Sequence, residues 1–512
     1  MPITKSVRSF AIGTLISRVL GLVREAVFAH LYGTSNATDA FNVAFRIPNL
    51  LRDLFAETAL SAGFVPVFTG LKEKEGDRRA MVLANNLFFT LTLFGAIIVI
   101  IGIILSPLLT KILAPGFGSI SGKIGLTASL TRITFPFLLF ISLAAWSMGI
   151  LNSYRIFFIP SLAPAVFNIV SIAIPISTYA FLIKMGVDPI YGMAIGVTVG
   201  GLGQFLIQMP FVLKRGLRFR LHINLNDPNL RRILFLLLPV VAGLTATRIN
   251  VAVDMLLISL LEPKSLTYIN YAYRIMHLPI GLLGVAISTV ALPTLSAAFA
   301  RKKREELKGT IIDSLTHVLI LTIPASIFIA ILATPICQFV YEHGRFLPID
   351  TKYTAQALLL YIIGVPFVAG SKSLASAFYS IKKPRVPMIA SIFSVILNIG
   401  LNLTLMWSLR FRAFPLSTSI SSAFYYGYLI FYLHNEIPSL DLREITPVLI
   451  KVIVLSGLAV ALGYFVFSAV RTFLIIRILL SFLITLAGYY LIAIIAGEET
   501  IAGIIRRFFT VG

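Results

Sequence analysis

The most informative segment for predicting the fold is TDAFNVAFRIPNLLRDLFAETALSAGFVPVF, residues 38–68. It is longer than the ~20 residues that a helix needs to cross a bilayer. Nevertheless Asp39, Arg46, Arg52 and Glu57 interrupt it. A helix of this polarity cannot face lipid on every side, and its Ala, Gly and Ser residues allow close approach of neighbouring helices. We therefore interpret it as a membrane helix that forms the wall of a polar cavity.

The rest of the chain is strongly apolar. Hydrophobic residues make up 58% of the 512, charged residues only 12%, and the mean hydropathy is +0.93. A soluble domain is about 45–50% apolar and about 25% charged. Because backbone groups in lipid must be paired within their own segment, we predict an all-α polytopic membrane protein. Its fourteen predicted spans are 9–30, 38–69, 82–107, 126–152, 160–183, 189–213, 233–260, 266–296, 311–340, 353–380, 386–408, 413–434, 447–470 and 478–498.

The net charge of +22 follows this topology. With the N-terminus inside, 24 Lys and Arg residues fall in inner loops, 10 in outer loops and nine within spans, which accounts for all 43. The bias predicts that both termini are cytoplasmic, so the charge does not indicate binding to nucleic acid. The single cysteine, Cys337, excludes an intrachain disulfide. Arg18 and Arg24 interrupt the first apolar segment, which argues against a cleavable signal.

The two halves of the chain resemble each other weakly. AFRIPNL (44–50) is similar to AYRIMHL (272–278), and SRV (17–19) to TRI (247–249), at offsets of 228 and 230. Six spans is an even number, so the halves have the same orientation, and a site is expected between such repeats. We predict a six-helix lobe at 1–213, a basic cytoplasmic linker at 214–232, a second six-helix lobe at 233–434, a linker at 435–446, and two extra C-terminal helices within 447–512.

Basic residues inside the spans need an explanation, because each costs about 2.5–3.5 kcal/mol at mid-bilayer on insertion scales. They should face a wet cavity or a partner. Since the guanidinium fork binds phosphate and carboxylate bidentately, a cavity with several arginines favours a multiply charged anion such as a pyrophosphate. The alternative is pairing with acids, among them Glu25, Asp53 and Asp254. The nine residues are Arg18, Arg24, Arg46, Arg52, Arg132, Arg248, Arg274, Lys372 and Lys451.

Nine residues are candidates for contact with a substrate in this cavity. Five of the arginines and four other polar or acidic residues form the set, and Pro48 is expected to break the helix of the second span. The candidates are Ser17, Arg18, Arg24, Asp39, Arg46, Asn49, Arg52, Glu57 and Arg274.

A second constellation suits a cation. Asp254 lies in span 7, Asn398 and Asn402 are four residues apart in span 11, and Thr418 lies in span 12. Carboxylate, amide and hydroxyl oxygens bind hard cations, and sodium or a proton is the favoured coupling ion. Two alternatives stay open, since membrane asparagines also hydrogen-bond neighbouring helices, and Asp254 could simply pair with Arg248.

The sequence contains no convincing Walker motif, HExxH or Ser/His/Asp arrangement. A membrane enzyme that acts on polyprenyl phosphates would need acidic loop residues, and these loops are mostly basic. An antiporter of cationic drugs would need an acidic cavity. We therefore expect a transporter of anions, not an enzyme.

Several motifs closely resemble the MurJ (MviN) family of lipid II flippases, within the multidrug/oligosaccharidyl-lipid/polysaccharide exporter superfamily. They are SRVLGLVREAVFAHLYGTSNATDAFNVAFRIPNLLRDLFAETALSAGFVPVF (17–68), APGF (114–117), ITFPFLLFISLAA (133–145), LNSYRIFFIPSLAPAVFN (151–168) and LLGVAISTVALPTLS (282–296). The resemblance implies two lobes that alternate access and a final helix pair that forms a groove for the polyprenyl tail. It also implies functional roles for Arg18, Arg24, Arg52, Arg274 and Asp39. Sodium-linked relatives carry a carboxylate near the position of Asn402, where this chain has none.

We expect the protein to move lipid II, the undecaprenyl-pyrophosphate-linked peptidoglycan precursor, from the inner to the outer leaflet of the bacterial cytoplasmic membrane. The alternative is a flippase for another polyprenyl-linked oligosaccharide. No cofactor is expected, with Na⁺ as the candidate coupling ion. The expected partners are lipid II, membrane lipids and the cell-wall synthesis machinery, with a monomer as the working unit. Bulky or charged replacements in the tail groove, at Ala459 and Gly463, should impair flipping.

Overall fold

The computed structural model describes residues 3–55, 57–301, 303–437 and 445–510. These residues are mostly helical and include no strand. Each predicted span coincides with one helix or with a broken pair of helices. Among the described residues, nine helical runs are long and apolar enough to cross a membrane. One of them, 385–436, contains predicted spans 11 and 12. The chain is a multi-pass membrane protein.

Residues Met1–Thr267 and His343–Phe346 form one compact unit. Its core lies around Trp146, which is fully buried and donates its ring N–H to the Ala84 carbonyl at 3.1 Å. The helices of this unit are α1 (Ile3–Tyr32), α2 (Asn36–Phe55), α3 (Glu57–Glu75), α4 (Asp77–Leu113), α5 (Lys123–Thr134), α6 (Pro136–Ser153), α7 (Phe158–Lys184), α8 (Ile190–Leu206), α9 (Met209–Leu213) and α10 (Pro228–Ser259).

Residues Tyr268–Glu342 and Leu347–Gly512 form the other unit. Its core includes Leu315, Phe378 and Tyr489, whose hydroxyl donates to the Ile320 carbonyl at 3.3 Å. Its helices are α11 (Ser265–Pro279, with its first turn in the first unit), α12 (Val285–Ala300), α13 (Arg304–Ile331), α14 (Ala333–Tyr341), α15 (Pro348–Ile362), α16 (Val365–Ser380), α17 (Arg385–Leu409), α18 (Ala413–Glu436), α19 (Ile445–Ala469), α20 (Leu474–Ile495) and α21 (Glu499–Thr510).

The boundary between the two units lies after α10, and not at the basic linker that precedes this helix. α10 packs against α2, α3 and α4, all of which precede the linker 214–232. Span 7 therefore belongs by contact to the first unit, whereas the repeat assigns it to the second half of the sequence. The contacts and the repeat describe different properties of the chain, namely its present packing and its internal duplication.

Helix α2 continues through Pro48, so the predicted break at this proline is wrong. Proline has no N–H to donate to the carbonyl four residues earlier. That carbonyl, of Ala44, instead accepts the Thr134 hydroxyl at 3.0 Å. The next carbonyl, of Phe45, accepts the side-chain amide of Asn49 at 3.0 Å. Side chains thus satisfy the backbone around the proline, and α2 ends only at Phe55.

Candidate functional site: buried arginines and a carboxylate cluster

Arg24 on α1 is buried, with 7% of its surface exposed. Its Nη2 donates to Glu25 Oε1 at 2.7 Å. The guanidinium carbon also lies 5.2 Å from the centre of the Phe167 ring and 5.8 Å from that of Phe28. Cation–π contact with aromatic faces is strongest when the cation is desolvated. Arg24 therefore pairs with an acidic side chain, as the alternative interpretation of the arginines states. The acidic residue is its neighbour, Glu25.

Arg18 lies six residues before Arg24 on the same helix and is half-buried. None of the described acidic side chains pairs with it. Ser17, its neighbour, contributes a backbone carbonyl that accepts the amide N–H of Asn168 on α7 at 3.0 Å. This bond fixes α1 against α7 at the level where Arg18 projects.

The other candidates divide between the two units. Arg46 and Arg52 lie half-buried on α2, and Asn49 lies between them on that helix. Arg274 is exposed on α11, in the second unit. Glu57 begins α3, and its side chain lies outside the described residues.

Asp39 lies at the centre of a cluster of hydrogen-bond donors. Its Oδ2 accepts from Lys123 Nζ at 3.1 Å and from the Lys264 backbone N–H at 2.7 Å. Its Oδ1 accepts from the Thr267 hydroxyl at 2.6 Å and from the Thr267 backbone N–H at 3.2 Å. Lys264 and Thr267 flank the start of α11, where unpaired N–H groups and the helix dipole favour a carboxylate. Asp39 therefore caps the start of α11 and at the same time forms a buried ion pair with Lys123.

Lys123 lies in an outer loop of the predicted topology and is not among the residues predicted for the site. The residue as a whole is only 3% exposed. Its ammonium lies 3.9 Å from the centre of the Phe117 ring and donates to Asn36 Oδ1 at 3.0 Å as well as to Asp39. The APGF motif, which supplies Phe117, was the available signal, since it lies six residues before this lysine.

The candidate cation ligands divide between the two units. Asn402 donates its amide to Asn398 Oδ1 at 3.0 Å, and Asn398 donates to the Ser421 hydroxyl at 3.3 Å. Thr418 donates its hydroxyl to the Phe414 carbonyl within its own helix. Asp254 belongs to the first unit, whereas these residues belong to the second. The Asn398 bond joins α17 to α18, as expected of helix–helix hydrogen bonding, whereas the bond from Asn402 to Asn398 lies within α17.

A largely apolar cavity of about 770 Å³ lies within the second unit, beside α19. Leu449 and Ile453 line it from α19, and Ile323, Phe367 and Ile430 line it from α13, α16 and α18. Ala459 and Gly463 do not line it. A Cβ at Gly463 would lie 2.0 Å from Thr485 Oγ1 on α20, so this face of α19 is occupied by its neighbour helix.

The family model for lipid II flippase MurJ matches residues 28–484. This chain belongs to the lipid II flippase MurJ family. The probable lipid II flippase MurJ of Buchnera aphidicola subsp. Schizaphis graminum is 34% identical over 472 residues, which cover 91% of each chain. The lipid II flippase MurJ of Burkholderia cenocepacia is 34% identical over 379 residues, or 73% of each chain.

Solved structures agree with this membership. A lipid II flippase MurJ in an inward closed conformation superposes with a TM-score of 0.78 at 28% identity, and the match covers 94% of this chain and 98% of the other. An inward-facing multidrug resistance transporter of the MATE family, in the MOP superfamily, superposes with a TM-score of 0.68 at 14% identity over 85% and 99% of the chains. The second likeness shows the fold alone. The resemblance stated from the sequence motifs is confirmed.

Proposed function

We propose that this MurJ family member translocates lipid II from the cytoplasmic to the outer leaflet of the bacterial cytoplasmic membrane. The observation that carries the proposal is the family match over 28–484, together with relatives named lipid II flippases that align over 91% of the chain. We propose that both termini are cytoplasmic, that the protein works as a monomer, and that its partners are lipid II, membrane lipids and the cell-wall synthesis machinery.

We propose that Arg18, Arg24, Arg52 and Arg274 bind the pyrophosphate and carboxylates of the head group, with Ser17, Arg46, Asn49 and Glu57 around them. Burial of Arg24 supports this role, because a desolvated guanidinium interacts far more strongly with a phosphate than an exposed one. The Glu25 carboxylate would give way to the substrate, since the two anions compete for the same guanidinium. Asp39 contributes by holding the start of α11, from which Arg274 projects.

Complementation tests the assignment. Cells depleted of their own lipid II flippase should regain growth and outer-leaflet lipid II when they express this chain. Alanine substitutions of Arg18, Arg24, Arg52 and Arg274 should each abolish the rescue at normal membrane levels of protein. Arg132→Ala is the matched control, because Arg132 is an exposed arginine that bonds Ser106 on a neighbouring helix. Rescue by all four variants would contradict the anion cavity, and failure of the wild-type chain would contradict the substrate.

We propose that the cavity beside α19 holds part of the polyprenyl tail while the head group crosses. Its lining is apolar, and its volume accommodates a segment of an isoprenoid chain. Ile453→Trp should fill the cavity and slow flipping of lipid II in proteoliposomes. Ile450→Trp, about one turn earlier on the same helix, is the control, because Ile450 is exposed to a similar extent (58% against 47% for Ile453) and does not line the cavity. Equal rates for the two variants would contradict the tail cavity.

We also propose a cation as the coupling agent, with Na⁺ as the candidate and no other cofactor. The residues offered are Asp254, Asn398, Asn402 and Thr418, and the two buried amides supply the oxygen ligands that suit a hard cation. Sodium should raise the thermal stability of the wild-type protein relative to potassium. No difference between the two salts would contradict a sodium site.

A further inference from the structure

Residues 214–225, the first part of the basic linker, form a strap that crosses α4. Two asparagines on α4 hold the backbone of the strap. Asn85 donates to the Arg220 carbonyl at 2.6 Å and accepts from the Arg220 N–H at 3.1 Å. Asn86 does the same for Asn224, at 3.0 and 2.8 Å. Each amide thus pairs with both polar groups of one strap residue, so the position of the strap on the helix is fixed.

The depth of the strap follows from the face that α4 exposes. Large apolar side chains are exposed along α4 from Leu93 to Ile112. Those 19 steps of about 1.5 Å span about 29 Å, which matches the ~30 Å hydrocarbon core of a bilayer. Asn85 and Asn86 precede Leu93 by eight and seven residues, or about 10–12 Å along the helix. The strap backbone therefore runs near the outer edge of the cytoplasmic head-group layer, within reach of a long side chain.

Polar and apolar side chains alternate along the strap, in the order RFRLHINL (218–225), and the first three polar positions are Arg218, Arg220 and His222. Leu221 is 83% exposed, and Ile223 and Leu225 on the same strap are exposed as well. Phe219 anchors the strap, with its ring centre 4.7 Å from that of Phe88. Among the described residues, no acidic side chain pairs with Arg218, Arg220 or Arg232. The strap thus presents cations and an apolar side chain together on the first unit.

We propose that the strap is a binding site for anionic phospholipid head groups of the cytoplasmic leaflet. Phosphates at this depth complement Arg218, Arg220 and Arg232, and basic residues near an anionic leaflet each contribute about 1 kcal/mol of attraction. Exposed apolar side chains beside the cations favour the head-group layer over bulk water. A soluble acidic protein would pair with the arginines, but its charge would give no reason for it to bury the apolar side chain of Leu221. The site does not depend on which lipid the protein transports.

Fluorescence quenching in nanodiscs of the full-length protein tests the proposal. Leu221→Trp is made in a Trp407→Phe background, where the other tryptophan, Trp146, is buried. Phosphatidylglycerol or phosphatidylcholine carries a nitroxide at the top of one acyl chain, at equal mole fractions. The tryptophan should be quenched several-fold more by the labelled phosphatidylglycerol. The preference should fall to near one in about 1 M salt, where the Debye length is ~3 Å.

Variants locate the preference on the strap. Gln substitution of Arg218 and Arg220 on the strap, together with Arg232 near the start of α10, should lower the preference to near one. The control, Lys382→Gln with Arg385→Gln, removes two exposed cations of the second unit and should leave it unchanged. Equal quenching by the two lipids would overturn the proposal. Absence of quenching by either lipid would also overturn it, because the strap would then face water and a soluble partner.

Discussion

The pair of Lys123 and Asp39 allows a quantitative test. Each side chain is 2% exposed, and their charged atoms lie 3.1 Å apart. Removing one member of a buried pair leaves an uncompensated charge and costs about 3–5 kcal/mol. We expect Lys123→Met to lower the free energy of unfolding by about 3–5 kcal/mol, toward the lower end because three neutral donors continue to hold the Asp39 carboxylate.

A double-mutant cycle separates the pair from its surroundings. Asp39→Asn removes the negative charge. The amide that replaces the carboxylate is a poorer acceptor of the hydrogen bonds from the surrounding donors. The double variant, Asp39→Asn with Lys123→Met, should cost less than the sum of the single variants, by a coupling energy of about 2–3 kcal/mol. Lys111→Met is the control, since this exposed lysine at the end of α4 should contribute less than about 1 kcal/mol.

Denaturant unfolding in detergent measures the free energy of unfolding of the wild-type protein, of the two single variants and of the double variant. The folded fraction is followed by intrinsic fluorescence, and flipping in proteoliposomes is measured in parallel. A cost below about 1 kcal/mol for Lys123→Met would refute the reasoning, because a surface ion pair contributes that little and a buried one does not. Additive single costs would show that the two charges do not interact, whatever the distance between them.

Three further predictions follow from named contacts. Asp254→Asn should slow transport and abolish any sodium-dependent stabilisation, whereas recovery of transport on adding Arg248→Gln would show that Asp254 only neutralises that arginine. Gly463→Ala should lower the thermal stability, because its Cβ would lie 2.0 Å from Thr485 Oγ1, and a Thr485→Ala second substitution should restore part of the loss. Arg24→Lys should fail to complement even though the charge is kept, since an ammonium lacks the bidentate fork; normal growth would contradict a phosphate contact.

The helices could be predicted because their signal is local. Apolar runs of helical length locate each span, and nothing outside the run needs to be known. Pro48 shows the limit of local reasoning. A proline within a helix removes a hydrogen bond, and the sequence around it predicts a break. Thr134, 86 positions later, supplies the missing donor, and its position relative to Ala44 depends on how α2 and α5 pack.

The site was predicted less completely, for the same physical reason. The arginines were found because a charge in an apolar span is costly wherever it points. Their neighbours were not all found: Lys123 reaches Asp39 across 84 positions of sequence. Ala459 and Gly463 were predicted as groove positions, and they do not line the cavity. Since α19 is apolar on all sides, sequence alone does not tell which of its faces meets α20. The cavity is instead lined from the face that carries Leu449 and Ile453.

The internal repeat gives the Asp39 cluster a further meaning. Arg46 and Arg274 are related by an offset of 228, and the same offset relates Asp39 to Thr267, to which it is hydrogen-bonded. Equivalent positions near the starts of α2 and α11 therefore meet each other. A strictly symmetric pair of carboxylates there would repel, and a pair of hydroxyls would leave Lys123 as a buried charge without a counterion. One acid and one hydroxyl satisfy both the lysine and the start of α11, so the contact requires that the two halves differ at this position.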